Sequence, residues 1–118
     1  MTPRTFVLLV KMFMNIDIHR EVEELREQLI SVRRDLHMHP ELAFEEYRTA
    51  GIVTTQLKSL GYHVQTGIAQ TGVVGLLEGS GPGKTLMIRA DIDALPIQEI
   101  RGRPYGSTSH GKMHACGH

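Results

Sequence analysis

The stretch LKSLGYHVQT, residues 57–66, marks the point at which the pattern of the chain changes from helix to strand. Before it, apolar residues recur at steps of three and four, which is the period of one helical face. After it come short apolar runs rich in residues that pack on a pleated surface. Gly61 is suited to end the helix, because glycine readily adopts the left-handed conformation found there. The predicted fold class is therefore α/β.

Two helices are predicted before this boundary. The first runs over residues 18–38, and Pro40 ends it because proline disfavours helix at the residue before it. The second begins at residue 44 or 45 and ends at Leu60, with glutamates at the positive end of its dipole. Its apolar positions form a stripe that we expect to be buried: Tyr47, Ala50, Ile52, Val53, Leu57 and Leu60.

Three strands are predicted after the boundary, over residues 62–66, 72–77 and 85–92. Residues 79–83 have the composition of a turn, and residues 94–118 are loop-rich. Loops that follow strands are where α/β enzymes often place their chemistry. Two helices and three strands are too few to cover both faces of a sheet. The chain is therefore predicted to be the opening, incomplete part of a domain.

Charge and targeting signals exclude several classes of partner. Lys plus Arg and Asp plus Glu both number 13, which gives no electrostatic reason to expect nucleic acid or an anionic membrane. Residues 1–17 are predicted to be a poorly ordered leader, and Met14 is an alternative start. The apolar run 6–10 is too short to span a bilayer, and Lys11 interrupts it before any cleavage signature. The single cysteine, Cys116, cannot form an internal disulfide, so a cytoplasmic protein is expected.

One nucleotide-binding signature fails. Gly83-Lys84-Thr85 resembles the end of a phosphate-binding loop, but Glu78 stands where that motif needs its first glycine. The motif also opens a helix, whereas Thr85 begins a predicted strand. Nucleotide binding is rejected.

Two other pairs of polar residues have a structural and a functional interpretation. His37 and His39 lie at a helix end, where imidazoles more often interact with the last carbonyl groups than bind metal; contact with substrate is the alternative. Asp91 and Asp93 point to one face at the end of a predicted strand, where open α/β sheets bind ligands. Because aspartate also favours chain reversals, their spacing alone supports both interpretations equally.

The segment HACGH, residues 114–118, is the strongest local signal for a metal. It places three donors at steps of two, and Gly117 lets the backbone bend between Cys116 and His118. Zn²⁺ takes thiolate and imidazole ligands at about 2.3 and 2.1 Å, so a bent Cys-x-His can supply two of them. The alternative is a buried structural cysteine beside surface histidines.

Together these motifs resemble a known family. The blocks RRDLHMHPEL (33–42), FEE (44–46), GVVG (72–75), RADIDALPI (89–97) and GKMHACGH (111–118) occur in the order found in the aminoacylase/carboxypeptidase family of metal-dependent amidohydrolases. That family includes hippurate hydrolases, N-acyl-amino-acid deacylases and auxin-conjugate hydrolases. Its fold is a metallo-aminopeptidase-like α/β catalytic domain with a smaller dimerisation domain inserted, so the resemblance implies that the full-length parent is a homodimer.

The resemblance also implies roles for individual residues. Cys116 and His118 match the first two metal ligands, and Asp93 matches an acidic residue that supports the site by orienting a ligand. Asp91 stands where related branches carry a metal-binding histidine, and it is not assigned as a ligand. The family motif continues with Asp-Gly-His, and the catalytic glutamate and remaining ligands follow it. Residues 18–118 are therefore expected to be a partial catalytic domain that is truncated within its metal motif.

The implied activity of the full-length parent is hydrolysis of the amide bond of small N-acyl amino acids. One or two divalent ions, Zn²⁺ or Mn²⁺ with Ni²⁺ or Co²⁺ as alternatives, lower the pKa of a bound water and polarise the carbonyl, and a glutamate moves the proton. The 118-residue chain alone is expected to be inactive. The alternatives are a non-catalytic remnant or a fragment that complements a partner. A structural zinc module built from His110, His114, Cys116 and His118 is disfavoured, because closed zinc sites draw on two separated segments.

Overall fold

The computed structural model describes residues 17–100 and 102–117. In chain order the regular elements are α1 (Ile18–Met38), α2 (Tyr47–Ser59), β1 (His63–Ile68) and β2 (Gly72–Leu76). The chain divides into two compact units, residues 1–33 and 34–118. Within the described residues, none of the helices has the length and apolar character needed to cross a bilayer. Most of the predicted leader, residues 1–16, lies outside the described part of the chain.

Helix α1 has the bounds that its sequence predicts. Asp17 starts it: the Oδ1 atom accepts the N–H of Arg20 at 3.2 Å, and the Asp17 carbonyl accepts the N–H of Glu21 at 3.0 Å. Such a side chain satisfies one of the N–H groups that the first turn of a helix leaves unpaired. In the first unit, the apolar face of α1 is 39 to 56% exposed at Val22, Leu25, Leu29 and Val32.

Helix α2 begins later than predicted. Phe44 has φ = 66°, a left-handed conformation that cannot be part of a right-handed helix, and Glu46 takes the position before the first helical residue, Tyr47. The predicted start at residue 44 or 45 is therefore wrong. The predicted buried stripe is half-buried at positions 50, 52, 53 and 57, but Tyr47 and Leu60 are 67 and 59% exposed.

Gly61 ends α2 as predicted. Its φ is 83°, and its N–H donates to the carbonyl of Lys58 at 3.1 Å. The next N–H, that of Tyr62, reaches back to the carbonyl of Leu57 at 3.1 Å. These paired bonds satisfy carbonyl groups at the helix end and turn the chain directly into β1.

Strands β1 and β2 form an antiparallel hairpin that packs on α2. Their register runs from His63 opposite Leu76 to Ile68 opposite Gly72. The turn between them passes through two residues with positive φ, Ala69 (48°) and Gln70 (86°). At Gly75, an added Cβ would lie 3.0 Å from the Leu57 side chain and 3.1 Å from that of Tyr62. Glycine at this position therefore lets the hairpin approach the helix closely.

The predicted third strand is not formed within the described residues. The sheet there has two strands, and residues 85–90 have no regular secondary structure and are exposed, with Leu86, Met87 and Ile88 exposed by 83 to 87%. Bends at residues 80–82 do not return the chain to pair with β2. Composition alone thus overpredicted this strand, because a ladder also needs a neighbouring chain for its N–H and C=O groups.

Replacing Gly61 with alanine should destabilise the protein by about 1 kcal/mol, because an L-residue is strained at positive φ. Gly51→Ala is the matched control: Gly51 lies inside α2, and at both positions an added Cβ has nothing within 4 Å. Alanine inside a helix should instead stabilise by about 0.5–1 kcal/mol. Urea unfolding measures both changes, and equal signs for the two variants would contradict this account.

Candidate metal centre

Main-chain hydrogen bonds at Ala94 and Leu95 bring three separate segments together. The N–H of Ala94 donates to the carbonyl of Glu41 at 2.7 Å. Leu95 and Met113 exchange two bonds, each 3.0 Å long, in an antiparallel bridge. Ala94 is buried, with 3% of its surface exposed. The family blocks containing Glu41, Ala94 and Met113 therefore meet at one point.

The antiparallel bridge brings the segments that carry two of the predicted site residues together. Because the bridge is antiparallel, Asp93, two residues before Leu95, and Cys116, three residues after Met113, leave the bridged pair in the same direction. Asp93 thus lies beside the segment that leads to Cys116. The sequence suggested this proximity only through the order of the motifs, whereas the bridge gives it a structural cause.

The aspartates and the cysteine near the predicted metal site differ in their hydrogen bonds and ion pairs. Asp91 is ion-paired with Arg89, whereas Asp93 and Cys116 make no hydrogen bond or ion pair with the described residues. Cys116 is an exposed free thiol, and Gly117 has φ = 97°, so the expected bend after Cys116 is present. Cys116 is therefore not buried by the described residues, unlike in the alternative of a buried structural cysteine. His118 lies outside the described residues.

These donors fit a divalent transition metal in their chemistry. Thiolate and carboxylate groups bind such ions when deprotonated, and neither Cys116 nor Asp93 is occupied by another partner in the described part of the chain. Among those residues, no group of three or more His, Cys, Asp or Glu side chains is gathered to hold an ion. The described part therefore holds at most two of the predicted site residues with open donors, and no complete ligand set.

Glu41 holds the start of α2. Its Oε1 and Oε2 atoms accept the N–H groups of Arg48 at 2.9 Å and Thr49 at 2.7 Å. Partial burial on its own raises the pKa of the Glu41 carboxyl, but hydrogen bonds from Thr49 and Arg48 and the charge of Arg48 together lower the pKa below the ordinary 4.5. Glu46, beside the helix, instead accepts the hydroxyl of Thr71 at 2.6 Å. The carboxylate that binds the N–H groups at the positive end of the α2 dipole is thus that of Glu41, which lies outside the helix.

The two histidines at the end of α1 make different contacts, and among the described residues only that of His39 is with a carbonyl group of the helix. The Nδ1 atom of His39 lies 2.8 Å from the carbonyl oxygen of Asp35, as the structural interpretation predicted. The carboxylate of Asp35 accepts two hydrogen bonds of 2.8 Å from the guanidinium of Arg48. His37 is 4% exposed, and its Nε2 atom lies 3.0 Å from the Oε1 atom of Glu99.

Glu99 is a structural residue that the sequence did not reveal. It is 7% exposed, and its Oε2 atom accepts the N–H of Ser107 at 2.6 Å. The Ser107 N–H and then the His37 imidazole hold the pKa of the Glu99 carboxyl below its ordinary value, against the effect of burial. Because an ionised carboxylate can only accept, the Nε2 atom of His37 carries the proton in this contact. No spacing rule joins two residues 62 positions apart.

Comparison with known proteins supports the family resemblance. Residues 87–118 match the model of Peptidase family M20/M25/M40. A hippurate hydrolase of Campylobacter jejuni is 44% identical over 98 residues, which are 83% of this chain and 26% of that relative. An N-acyl-L-amino acid amidohydrolase of Geobacillus stearothermophilus is 45% identical over 102 residues, which are 86% of this chain and 28% of that relative. This chain belongs to the M20/M25/M40 peptidase family.

A solved structure agrees. The crystal structure of a Bacillus subtilis protein, described as a dinuclear metal binding peptidase from the M20 family, matches with a TM-score of 0.74 and 42% sequence identity. The match covers 80% of this chain and 27% of that one. The α/β prediction, an N-terminal part of an M20 domain, is confirmed apart from its third strand. The M20 chain spans about a quarter of the length of the curated relatives it matches.

Replacing Glu41 with glutamine should lower the free energy of unfolding by about 1 kcal/mol at neutral pH, because the carboxylate that holds the first turn of α2 is lost. Folding lowers the pKa of this carboxyl, so its contribution is present above 4.5 and is lost as the pH falls below that value. The variant should therefore lose less stability on acidification than the parent. Urea unfolding at several pH values measures both effects.

Glu23→Gln is the control for this prediction, since Glu23 is an exposed glutamate of α1. It should leave both the stability and its pH dependence nearly unchanged. The assignment of Glu41 fails if Glu41→Gln unfolds on acidification in parallel with the parent.

Proposed function

We propose that this segment supplies part of the metal site of a complete M20 protein that hydrolyses the amide bond of N-acyl amino acids. The observation that carries the proposal is the Leu95–Met113 bridge, which holds Asp93 next to the segment leading to Cys116. Both side chains have polar atoms that no described residue engages. In this proposal Cys116 and His118 bind the metal, and Asp93 orients a ligand.

The bound metal would supply a Lewis acid that activates water and polarises the scissile carbonyl. Cys116 would bind it as the thiolate, and the positive φ of Gly117 lets His118 follow within two positions. Thiolate and imidazole ligands favour Zn²⁺, with Mn²⁺, Ni²⁺ and Co²⁺ as alternatives. Asp93 would accept a hydrogen bond from a ligand, which fixes its orientation and raises its basicity.

The relatives and the sequence also support a proposed substrate, location and assembly. The relatives named as a hippurate hydrolase and an N-acyl-L-amino acid amidohydrolase favour a small N-acyl amino acid as substrate. The single cysteine favours a reducing compartment, and hence the cytoplasm. The family resemblance favours a homodimer of the complete protein, with residues 18–118 as part of its catalytic domain.

Replacing Cys116 with alanine in the complete protein should weaken metal binding by more than about 100-fold and abolish turnover of N-acyl amino acids, because a ligand is removed. Asp93→Asn should weaken metal binding by about 10- to 100-fold, the effect expected for a residue that orients a ligand. Bound metal is measured by elemental analysis after dialysis, and turnover by release of the free amino acid.

The matched control is His63→Ala, which removes an exposed imidazole from β1. It should leave metal content and turnover unchanged. Undiminished metal content and activity in Cys116→Ala would sink the proposed site.

A second candidate function is complementation of a partner. Residues 85–90 are exposed, and Leu86, Met87 and Ile88 form the apolar part of this segment. The segment borders an open groove of about 1150 Å³ that Val53, Leu57 and Gly75 also line. An exposed segment outside any sheet has main-chain groups that can pair with a strand of another chain. The partner would be a chain that carries the rest of an M20 domain.

The isolated 118-residue chain should show no turnover of N-acyl amino acids, because too few metal ligands are gathered within its described part. Coexpression with the remainder of an M20 protein should give a complex that copurifies and is active if complementation is correct. Arg89→Ala, outside the apolar part of the segment, is the control for Met87→Lys, which should prevent the complex. Robust activity of the isolated chain would overturn the expectation of inactivity, and failure to copurify would rule out complementation.

A further inference from the structure

Polar contacts fasten the loop before the metal motif to the end of α1. We call this set of contacts the clasp; it consists of His37 with Glu99, the Ser107 N–H with Glu99, and Thr108 with the carbonyl of Met38. The N–H and Oγ1 of Thr108 both donate to that carbonyl, at 2.9 and 2.6 Å. The clasp thereby satisfies a carbonyl group that the helix end leaves without an internal partner.

The clasp holds the loop that connects Leu95 to Met113, and the metal motif follows directly after this loop. Leu95 and Met113 pair at the base of the loop, and Glu99 and Thr108 lie within it. Near the base, the N–H of Gly111 donates to the Oε1 atom of Gln98 at 2.9 Å. The loop is therefore fixed at both its base and its body, and the chain passes from it directly into the segment leading to Cys116.

The burial of the His37–Glu99 pair makes its geometry exacting. Both side chains are nine-tenths or more buried. Their polar atoms therefore cannot replace a lost hydrogen bond between them with one to water. The ring of Tyr105 packs edge-on against His37, with ring centres 5.9 Å apart, and the guanidinium of Arg34 lies 5.0 Å from the centre of the Tyr105 ring. The imidazole is thus held by this ring contact as well as by its hydrogen bond.

We infer that His37 and Glu99 are positioning residues for the metal motif: by holding the loop against α1, they fix the backbone of residues 113–116 in the conformation that binds the ion. This inference rests on the proposed function, since it takes Cys116 as a ligand. Neither residue contacts the metal in this account. Their effect passes through the loop and the Leu95–Met113 pair, whose shift by a fraction of an ångström changes the geometry of the ligand.

The test compares the Zn²⁺ dissociation constant of His37→Ala and His37→Gln in the complete protein, measured by competition with a chelator. His37→Ala should weaken binding by about tenfold or more, as loss of a supporting residue does at other metal sites. His37→Gln should restore most of the affinity, because the glutamine Nε2 can donate to Glu99 from nearly the same place. Amide exchange of the metal-free protein should show faster exchange over residues 113–116 in His37→Ala only.

Thr71→Val is the matched control, because it removes another buried side-chain hydrogen bond, the one that joins Thr71 to Glu46 at the start of α2. It should lower the melting temperature without changing the Zn²⁺ affinity or the exchange of residues 113–116. If His37→Ala behaves as Thr71→Val does, the pair is merely structural and the inference is wrong. If His37→Ala does not fold, Glu99→Gln decides the question on the same two readouts.

Failure of the proposed function gives a different result. If Cys116→Ala leaves the Zn²⁺ affinity unchanged, the proposed metal site itself is wrong. Cys116→Ala with lost affinity, together with unchanged affinity in His37→Ala and Glu99→Gln, overturns only the positioning role.

Discussion

The main-chain hydrogen bonds of Ala94 and its neighbour Leu95 are the constraint on which the candidate site depends. One peptide N–H is committed to the carbonyl of Glu41, and the next residue exchanges both of its groups with Met113. Ala94 is buried and small, so three backbones can approach one another where a larger side chain would separate them. Because main-chain bonds fix direction as well as distance, they set the register between the aspartate segment and the cysteine segment.

Residues outside each helix satisfy main-chain polar groups at the start of α2 and at the end of α1. The first turn of α2 takes its acceptor from Glu41, and the last turn of α1 takes its donors from Thr108. A helix end leaves several N–H or C=O groups unpaired, so each such contact also ties a loop to a helix. The exposed ion pair between Asp35 and Arg48 adds little energy by comparison, but it joins the same two helices.

Much of this architecture follows from local sequence rules, and the exceptions share a cause. The bounds of α1, the cap at Gly61 and the two paired strands depend on nearby residues, and the sequence predicted them. The start of α2 depended on the left-handed backbone at Phe44, which few non-glycine residues adopt. The strand over residues 85–92 needed a partner strand, and the His37–Glu99 pair needed a fold that joins distant positions. Pattern and propensity describe neighbours in sequence, so they cannot specify these contacts.

The hydrogen bonds of the described residues distinguish Asp93 and Cys116 from the neighbouring carboxylates without use of the motif. In the described segments around the site, the carboxylates of Glu41, Glu46 and Glu99 accept bonds from N–H or O–H groups, and Asp91 is paired with Arg89. A carboxylate committed in this way would have to break those bonds to bind an ion. Asp93 and Cys116 have no such commitments among the described residues, although Asp93 is half-buried. A half-buried carboxylate needs a partner to offset its lost hydration, and a cation or a ligand bound to one meets that need.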